Sequence, residues 1–247
     1  TNMKRREFTL AAAVAALPGL LSLPAHAQGK GYAELAQRAP VDTKPGEIEV
    51  IEFFSYGCVH CKHFEPIVDA WTKTLPKDVK FRRVHVGFQS SFEPLQKIFY
   101  SLEAMGAVTD EMQNKVFKAL QDDRIRLDKP DVLFPWIAKQ GLDQAKFEAA
   151  YKGFGVATQI RKAMQLQDAY KVEGTPALGI AGRYYTDGSM GGGFEPMLKI
   201  ANQLIETLGS EIDFRRDLRK GERFALIYET LTHRGQTIRS GRLVAAE

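Results

Sequence analysis

Cysteine is nearly absent from this chain: in 247 residues it occurs only as Cys58 and Cys61. Two thiols cannot build the multi-disulfide framework of a small secreted domain. A closed zinc site takes four ligands, and no second C-x-x-C pair exists to complete one. Long apolar runs are missing as well. The one candidate, "LAAAVAALPGLLSL" at 10–23, is interrupted by Pro18 and falls short of the roughly 20 residues a membrane-spanning helix needs. No cysteine follows that run, which excludes a bacterial lipoprotein anchor. Charge of one sign is not concentrated either. From Gln28 to Gly209, 23 Lys and Arg face 23 Asp and Glu, so the net +4 comes from the two ends. Without a basic stripe interleaved with aromatics, nucleic-acid binding has no support. No internal repeat or low-complexity segment occurs.

What the N-terminus does contain is an export signal. Lys4, Arg5 and Arg6 precede the apolar run, and Ala25-His26-Ala27 follows it as an A-x-A cleavage site. Residues 1–27 are therefore expected to be removed, with Gln28 first in the mature chain. "RREFTL" also has the look of a twin-arginine signal, so the export route stays open between that and the general secretory one. The expected destination is the periplasm.

In the mature chain, "EIEVIEFFSYG" (47–57) is rich in Ile, Val and Phe and reads as a strand buried on both faces. From Val59 to Thr74 apolar residues recur at Phe64, Ile67, Val68 and Trp71, a helical spacing. Val79–Phe88 alternates as a second strand. A long helical block then runs from about Ser91 to Tyr170, punctuated by Gly106, Lys129-Pro130 and Gly141. "TPALGIAGRYY" reads as a hairpin turning at Ala181-Gly182, and Phe194–Gly209 as a closing helix. The economical architecture is an α/β fold: one small sheet, formed by 28–90 and 171–209, with an all-helical insertion at 91–170.

C-x-x-C beside such a βαβ pattern reads as a redox-active dithiol. Cys58 falls where a buried strand hands over to a helix, so its sulfur meets unpaired N–H groups and the positive end of the helix dipole. Both favour thiolate, the attacking and leaving species in disulfide exchange. Cys61 lies one turn on, within reach to close a disulfide. His60 can add a hydrogen bond or a positive charge to the Cys58 thiolate. Two other uses of the pair are weaker. A zinc site would have to recruit His63 and His85, and a staple closing a four-residue loop removes little unfolded-state entropy. No metal or cofactor is expected.

"VIEFFSYGCVHCKHFEP" followed by "GTPALGIAG" resembles the DsbA family of periplasmic thiol:disulfide oxidoreductases, over roughly Tyr32–Gly209. The resemblance implies a thioredoxin-like fold interrupted by a helical domain, with Cys58 as nucleophile and Cys61 as resolving cysteine. It implies that Pro176 is the cis-proline facing the dithiol. Thr175 would then offer its backbone to an extended substrate peptide by strand addition. Glu52 matches a buried carboxylate that takes a proton from Cys61 as the mixed disulfide resolves, a role compatible with its pairing to Arg82 or Arg83 on the next strand. Pro66 matches the helix-kinking proline, a structural position. His63 reads as a solvated helix residue. Tyr56, Phe88, Met190 and Gly191–Gly193 are candidates for a substrate groove. The chain departs from the pattern in its Val59-His60 dipeptide, where Pro-His is typical, and in Thr175, where Val is typical. Both positions tune redox potential and substrate release.

The implied partners are reduced, unfolded exported proteins and a quinone-linked membrane oxidase of the DsbB type, with the chain itself a monomer. Two rivals remain: an isomerase or reductase of the same fold, and a binding module or chaperone with an incidental dithiol. Exported isomerases of this type carry a dimerisation domain ahead of the fold, for which Gln28–Gly46 is too short. Residues 210–247 change texture, with eight Lys and Arg and six Asp and Glu in 38 residues and two strand-like runs joined at His233-Arg234-Gly235. They resemble part of the non-catalytic domain of LytM-type peptidoglycan endopeptidases without its zinc motifs. The segment reads as a fusion or frame artefact, with a wall-targeting appendage as the alternative.

Overall fold

The stretch Ile48–Phe54, apolar but for Glu49 and Glu52, forms a strand, β2, buried along its whole length in the computed structural model. Residues 31–219, 224–233 and 236–245 are described, with side chains from 31 to 213; the expected export signal at 1–27 lies outside them. β2 pairs in parallel with β3 (Val79–His85) and antiparallel with β4 (Ala177–Ile180). β4 turns back into β5 (Tyr184–Asp187), and a two-residue strand, β1 (Ala33–Glu34), lies along β5. The sheet order is β1-β5-β4-β2-β3. β1 left no trace in the sequence pattern, because two residues cannot show alternation.

α1 (Val59–Thr72) joins β2 to β3 and completes the expected βαβ unit. From Ser90 to Tyr170 every regular element is helical. A 3-10 turn (Ser90–Phe92) leads into α2 (Glu93–Ala104), and α3 (Asp110–Phe117) opens into a π turn (Lys118–Asp122). α4 (Pro130–Lys139), α5 (Gln144–Lys152) and α6 (Phe154–Tyr170) follow. Their starts are set locally. The side chains of Thr109 and Asp143 accept from the third N–H of α3 and α5, and proline opens α4.

The sheet separates two cores. Ile48 and Val50 pack with Phe64, Val68 and Trp71 of α1 and with Met197, Leu198 and Ala201 of α8 (Phe194–Arg219). Ile51, Phe53 and Ala177 belong to the core of the helical insertion, with Phe99, Phe117, Phe147 and Tyr170. The β4–β5 turn has φ of 53° at Ala181 and 64° at Gly182, the geometry that matches strand twist. A Cβ on Gly182 would stand 2.3 Å from the Ala39 carbonyl oxygen, so glycine is required there. A short helix, α7 (Gly188–Gly191), links β5 to α8.

α8 does not stop at Gly209 as the sequence reading expected. Leu208 and the partly buried Ile212 extend its apolar face, and Glu211 pairs with Arg183. One glycine costs a helix about 1 kcal/mol and does not end it while that face continues. Beyond it, β6 (Phe224–His233) and β7 (Gln236–Ala245) pair with each other in a separate two-stranded sheet.

Candidate redox site

Cys58 is the N-cap of α1, in extended backbone conformation, and its Sγ accepts from the Cys61 N–H at 3.4 Å. A thiol thus does the work usually given to Ser, Thr or Asp at this position. Across the site the Cys58 thiol lies 3.3 Å from the Thr175 carbonyl oxygen, to which it donates. The Cys58 pKa is lowered to about 5, first by the Cys61 thiol, which can donate to the thiolate. The Thr175 side chain and the backbone N–H groups of Cys61 and His60 act in the same direction, against partial burial. Cys61 is fully buried, and burial together with the adjacent Cys58 and Glu52 pushes its thiol far up. The two sulfurs are therefore driven apart in acidity: one a partly exposed thiolate, the other a buried thiol. That division suits a nucleophile and its partner.

The Thr175–Pro176 peptide bond is cis, with Thr175 half-buried beside Cys58 and Pro176 buried. His60 points outward, and its backbone N–H is the group that faces the Cys58 sulfur. His63 is exposed, and Pro66 lies inside α1 with its surface open.

Glu52 is fully buried beneath the dithiol. Arg83 on the neighbouring strand donates to it from Nε at 3.0 Å, while Arg82 turns to Glu49 instead. The Arg83 guanidinium also donates to Asp69 at 2.6 Å and stands 3.0 Å from a Glu65 oxygen, an ion pair without hydrogen-bond geometry. Three carboxylates, two of them on α1, thus share one cation. Burial raises the pKa of both Glu52 and Glu65, against the attraction of Arg83. Sequence reasoning picked out Glu52 but not Glu65 or Asp69. The signal existed for Glu65, since it sits four residues after Cys61 on the same helix face.

Of the groove candidates, Phe88 and Met190 are exposed, as is Val59 between the cysteines. Tyr56 is not part of any groove. It is fully buried, with its ring against Phe54, Phe99 and Phe117 and its hydroxyl bonded to Gln113.

Comparison with known proteins agrees with this geometry. Residues 49–204 match the model of the DSBA-like thioredoxin domain. The chain is 40% identical over 207 residues to a thiol:disulfide interchange protein DsbA of Bordetella parapertussis, covering 82% of this chain and 98% of that protein. A Pseudomonas aeruginosa counterpart is 38% identical over 198 residues, covering 78% and 93%. Among solved structures, P. aeruginosa DsbA superposes with a TM-score of 0.71 at 38% identity, over 75% of this chain and 95% of that one. Reduced DsbA1 from Neisseria meningitidis does so with 0.66 at 27% identity, over 75% and 96%.

Proposed function

The chain belongs to the DSBA-like thioredoxin family and is a thiol:disulfide oxidoreductase, and from that premise we propose that it acts in the periplasm as an oxidase of newly exported proteins. The observation that carries this reading is the N-cap position of Cys58, whose lowered pKa makes it a good leaving group. The reaction runs in two exchanges. A substrate thiolate attacks Cys58 of the Cys58–Cys61 disulfide; the bond breaks and Cys61 leaves with the electron pair, gaining a proton. A second substrate thiolate then attacks the substrate sulfur of the mixed disulfide, and Cys58 leaves as the stabilised thiolate. Two electrons have passed from substrate to protein, and the substrate holds a new disulfide.

Reoxidation reverses the order. The Cys58 thiolate attacks a disulfide of a quinone-linked membrane partner of the DsbB type. Cys61 then loses its proton to Glu52 and attacks Cys58, freeing the partner. Glu52 suits this step because it is buried, its pKa is raised, and its charge acts on Cys61. Thr175 and Pro176 receive the substrate backbone, and His60 contributes through its N–H. No metal or cofactor takes part, and the protein works as a monomer. The export signal at 1–27 supports the location. Among the described residues no helix is long and apolar enough to cross a membrane.

The test is turnover of a reduced, unfolded client by the oxidised protein. Cys58→Ser and Cys61→Ser should each abolish it, because neither variant can hold the Cys58–Cys61 disulfide that oxidises the client. A Cys58→Ser protein that still suppresses client aggregation as well as the wild type would favour the chaperone reading instead.

A further inference from the structure

The loop that carries Cys58 is held from the helical insertion. Gln121, in the π turn at the end of α3, donates through Nε2 to the Tyr56 carbonyl at 2.8 Å and to the Cys58 carbonyl at 3.1 Å. A side-chain amide nitrogen has two N–H groups, and here both are used, one on each side of Gly57. The Cys58 carbonyl is also the first acceptor of α1, but its bond from the Lys62 N–H is long, at 3.3 Å. The Gln121 amide therefore supplies the shorter of its two contacts.

The neighbours of Gln121 reinforce the same junction. Asp122 forms an ion pair with Lys62 in the first turn of α1, and Gln113 on α3 takes the Tyr56 hydroxyl. The wide turn itself is closed by the Asp123 N–H reaching five residues back to Lys118 at 3.0 Å. Such insertions in a helix recur at functional sites. Sequence reasoning had no access to this contact, because 65 and 63 residues separate Gln121 from its two acceptors.

We propose that Gln121 is a positioning residue for the Cys58 thiol: by fixing the carbonyls that flank Gly57, it sets where Sγ sits against the N–H groups of His60 and Cys61. The geometry leaves little slack. The Cys61 N–H reaches Sγ at 3.4 Å. Besides Gln121, the loop before Cys58 is held through Cys58 N–H to Ser55 O at 3.0 Å, Gly57 N–H to Ser55 Oγ at 3.2 Å and, one residue further back, Tyr56 N–H to His85 Nε2 at 3.0 Å, so the Cys58 carbonyl itself has only Gln121 and the long Lys62 bond. Outward drift of this loop weakens the donors that stabilise a thiolate, and a disulfide needs those donors far less. Loss of the clamp therefore penalises the reduced form more than the oxidised one. A glutamine that merely satisfies two buried carbonyls would support both forms alike.

This inference rests on Cys58 being the attacking thiol. Wild-type turnover tests that reading, whereas comparison of Gln121 variants tests only the clamp. In Gln121→Met, which keeps length and removes both donors, the Cys58 thiolate is titrated by its ultraviolet absorbance. The expected midpoint is higher by roughly one unit, and the melting temperature of the reduced protein falls more than that of the oxidised protein. Equal falls in both redox forms with an unmoved midpoint would overturn the proposal, as would no change at all. A second measurement needs no variant. In the wild-type protein the Gln121 side-chain amide protons should exchange with solvent more slowly than those of the exposed Gln165. Equal rates would overturn the proposal as well.

Discussion

Arg83 donates from Nε to the Glu52 carboxylate at 3.0 Å, and both side chains are buried beneath the dithiol. With Glu65 and Asp69 on the same guanidinium, the cluster is short of positive charge, and the two partners are not equivalent. Replacing Arg83 with Met strands three carboxylates in the core. The expected loss is about 3–5 kcal/mol of stability, the usual result of removing one member of a buried ion pair. Urea denaturation measures it, and a loss below about 1 kcal/mol would mean that the cluster is neutral without Arg83.

Glu52→Gln removes surplus negative charge and should leave the fold nearly as stable. Its effect should fall on resolution of the mixed disulfide, slowed by about a hundredfold for loss of a general base. The folded pKa of Glu52 is raised, so its favourable contribution to stability is complete below the ordinary 4.5 and is lost as pH rises through the raised value. The loss of stability between pH 4.5 and about 7 should therefore be weaker in Glu52→Gln than in the wild type. Rapid-quench kinetics of release from a trapped partner peptide decides the catalytic point. Unchanged release across pH would remove Glu52 from the mechanism.

Cys58 links redox state to stability with a definite sign. Its folded pKa of about 5 lies below the ordinary thiol value of 9.0. The thiolate's stabilisation is therefore complete above 9.0 and is lost as pH falls through about 5. Only the reduced protein has this thiolate. Near neutral pH the reduced form should melt at a higher temperature than the oxidised form, and the gap should close as pH approaches 5. Calorimetry of both forms across that range gives the answer. A gap independent of pH would show that something other than the Cys58 charge separates them.

His85 sets a limit on the acid side. Fully buried, it accepts the Tyr56 N–H at Nε2 at 3.0 Å and donates from Nδ1 to the Val86 carbonyl at 2.9 Å, which requires a neutral ring. Burial lowers its pKa from 6.5 to about 3. Stability tied to the neutral ring is complete above 6.5 and drains away as pH falls toward 3, on the order of 5 kcal/mol in all. His85→Gln keeps an acceptor for Tyr56 and should cost about 1 kcal/mol at neutral pH. It should also flatten the decline between 6.5 and 3, visible in urea midpoints. A slope as steep as wild type would place the acid sensitivity elsewhere.

The sheet and dithiol were legible in the sequence because their signals are local. A strand rich in Ile, Val and Phe, two thiols one turn apart and a Gly-Thr-Pro start to a strand need no knowledge of distant partners. The cluster beneath them was half legible: Glu52 stands out as a charge inside an apolar strand, but its choice of Arg83 over Arg82 depends on which face each side chain takes. Arg83 shares the face of Glu52, to which it is directly paired in register, whereas Arg82 is set across from Ile51. Tyr56 was misjudged because an aromatic beside an active site looks the same whether it lines a groove or anchors a core. Gln121 was invisible.

The end of the fold was misread for a related reason, and truncation tests the corrected boundary. Gly209 and the charged residues after it look like a terminus, yet the buried face of α8 continues through Leu208 to Ile212, and Glu211 pairs with Arg183 at 3.3 Å. A chain ending at Gly209 loses both contacts. The ion pair is partly exposed and contributes little by itself, about 0–1 kcal/mol. Uncovering Ile212 and shortening the helix add to that, so a measurable fall in melting temperature is expected. A chain ending at Arg219 keeps the whole helix and removes only the β6–β7 hairpin, which pairs with no strand of the central sheet. A two-stranded hairpin has little stability of its own in water. Removing it should leave both melting temperature and client oxidation unchanged. If the Arg219 truncation melts as early as the Gly209 one, the hairpin supports the core, and the reading of the segment after Arg219 as an adventitious extension fails.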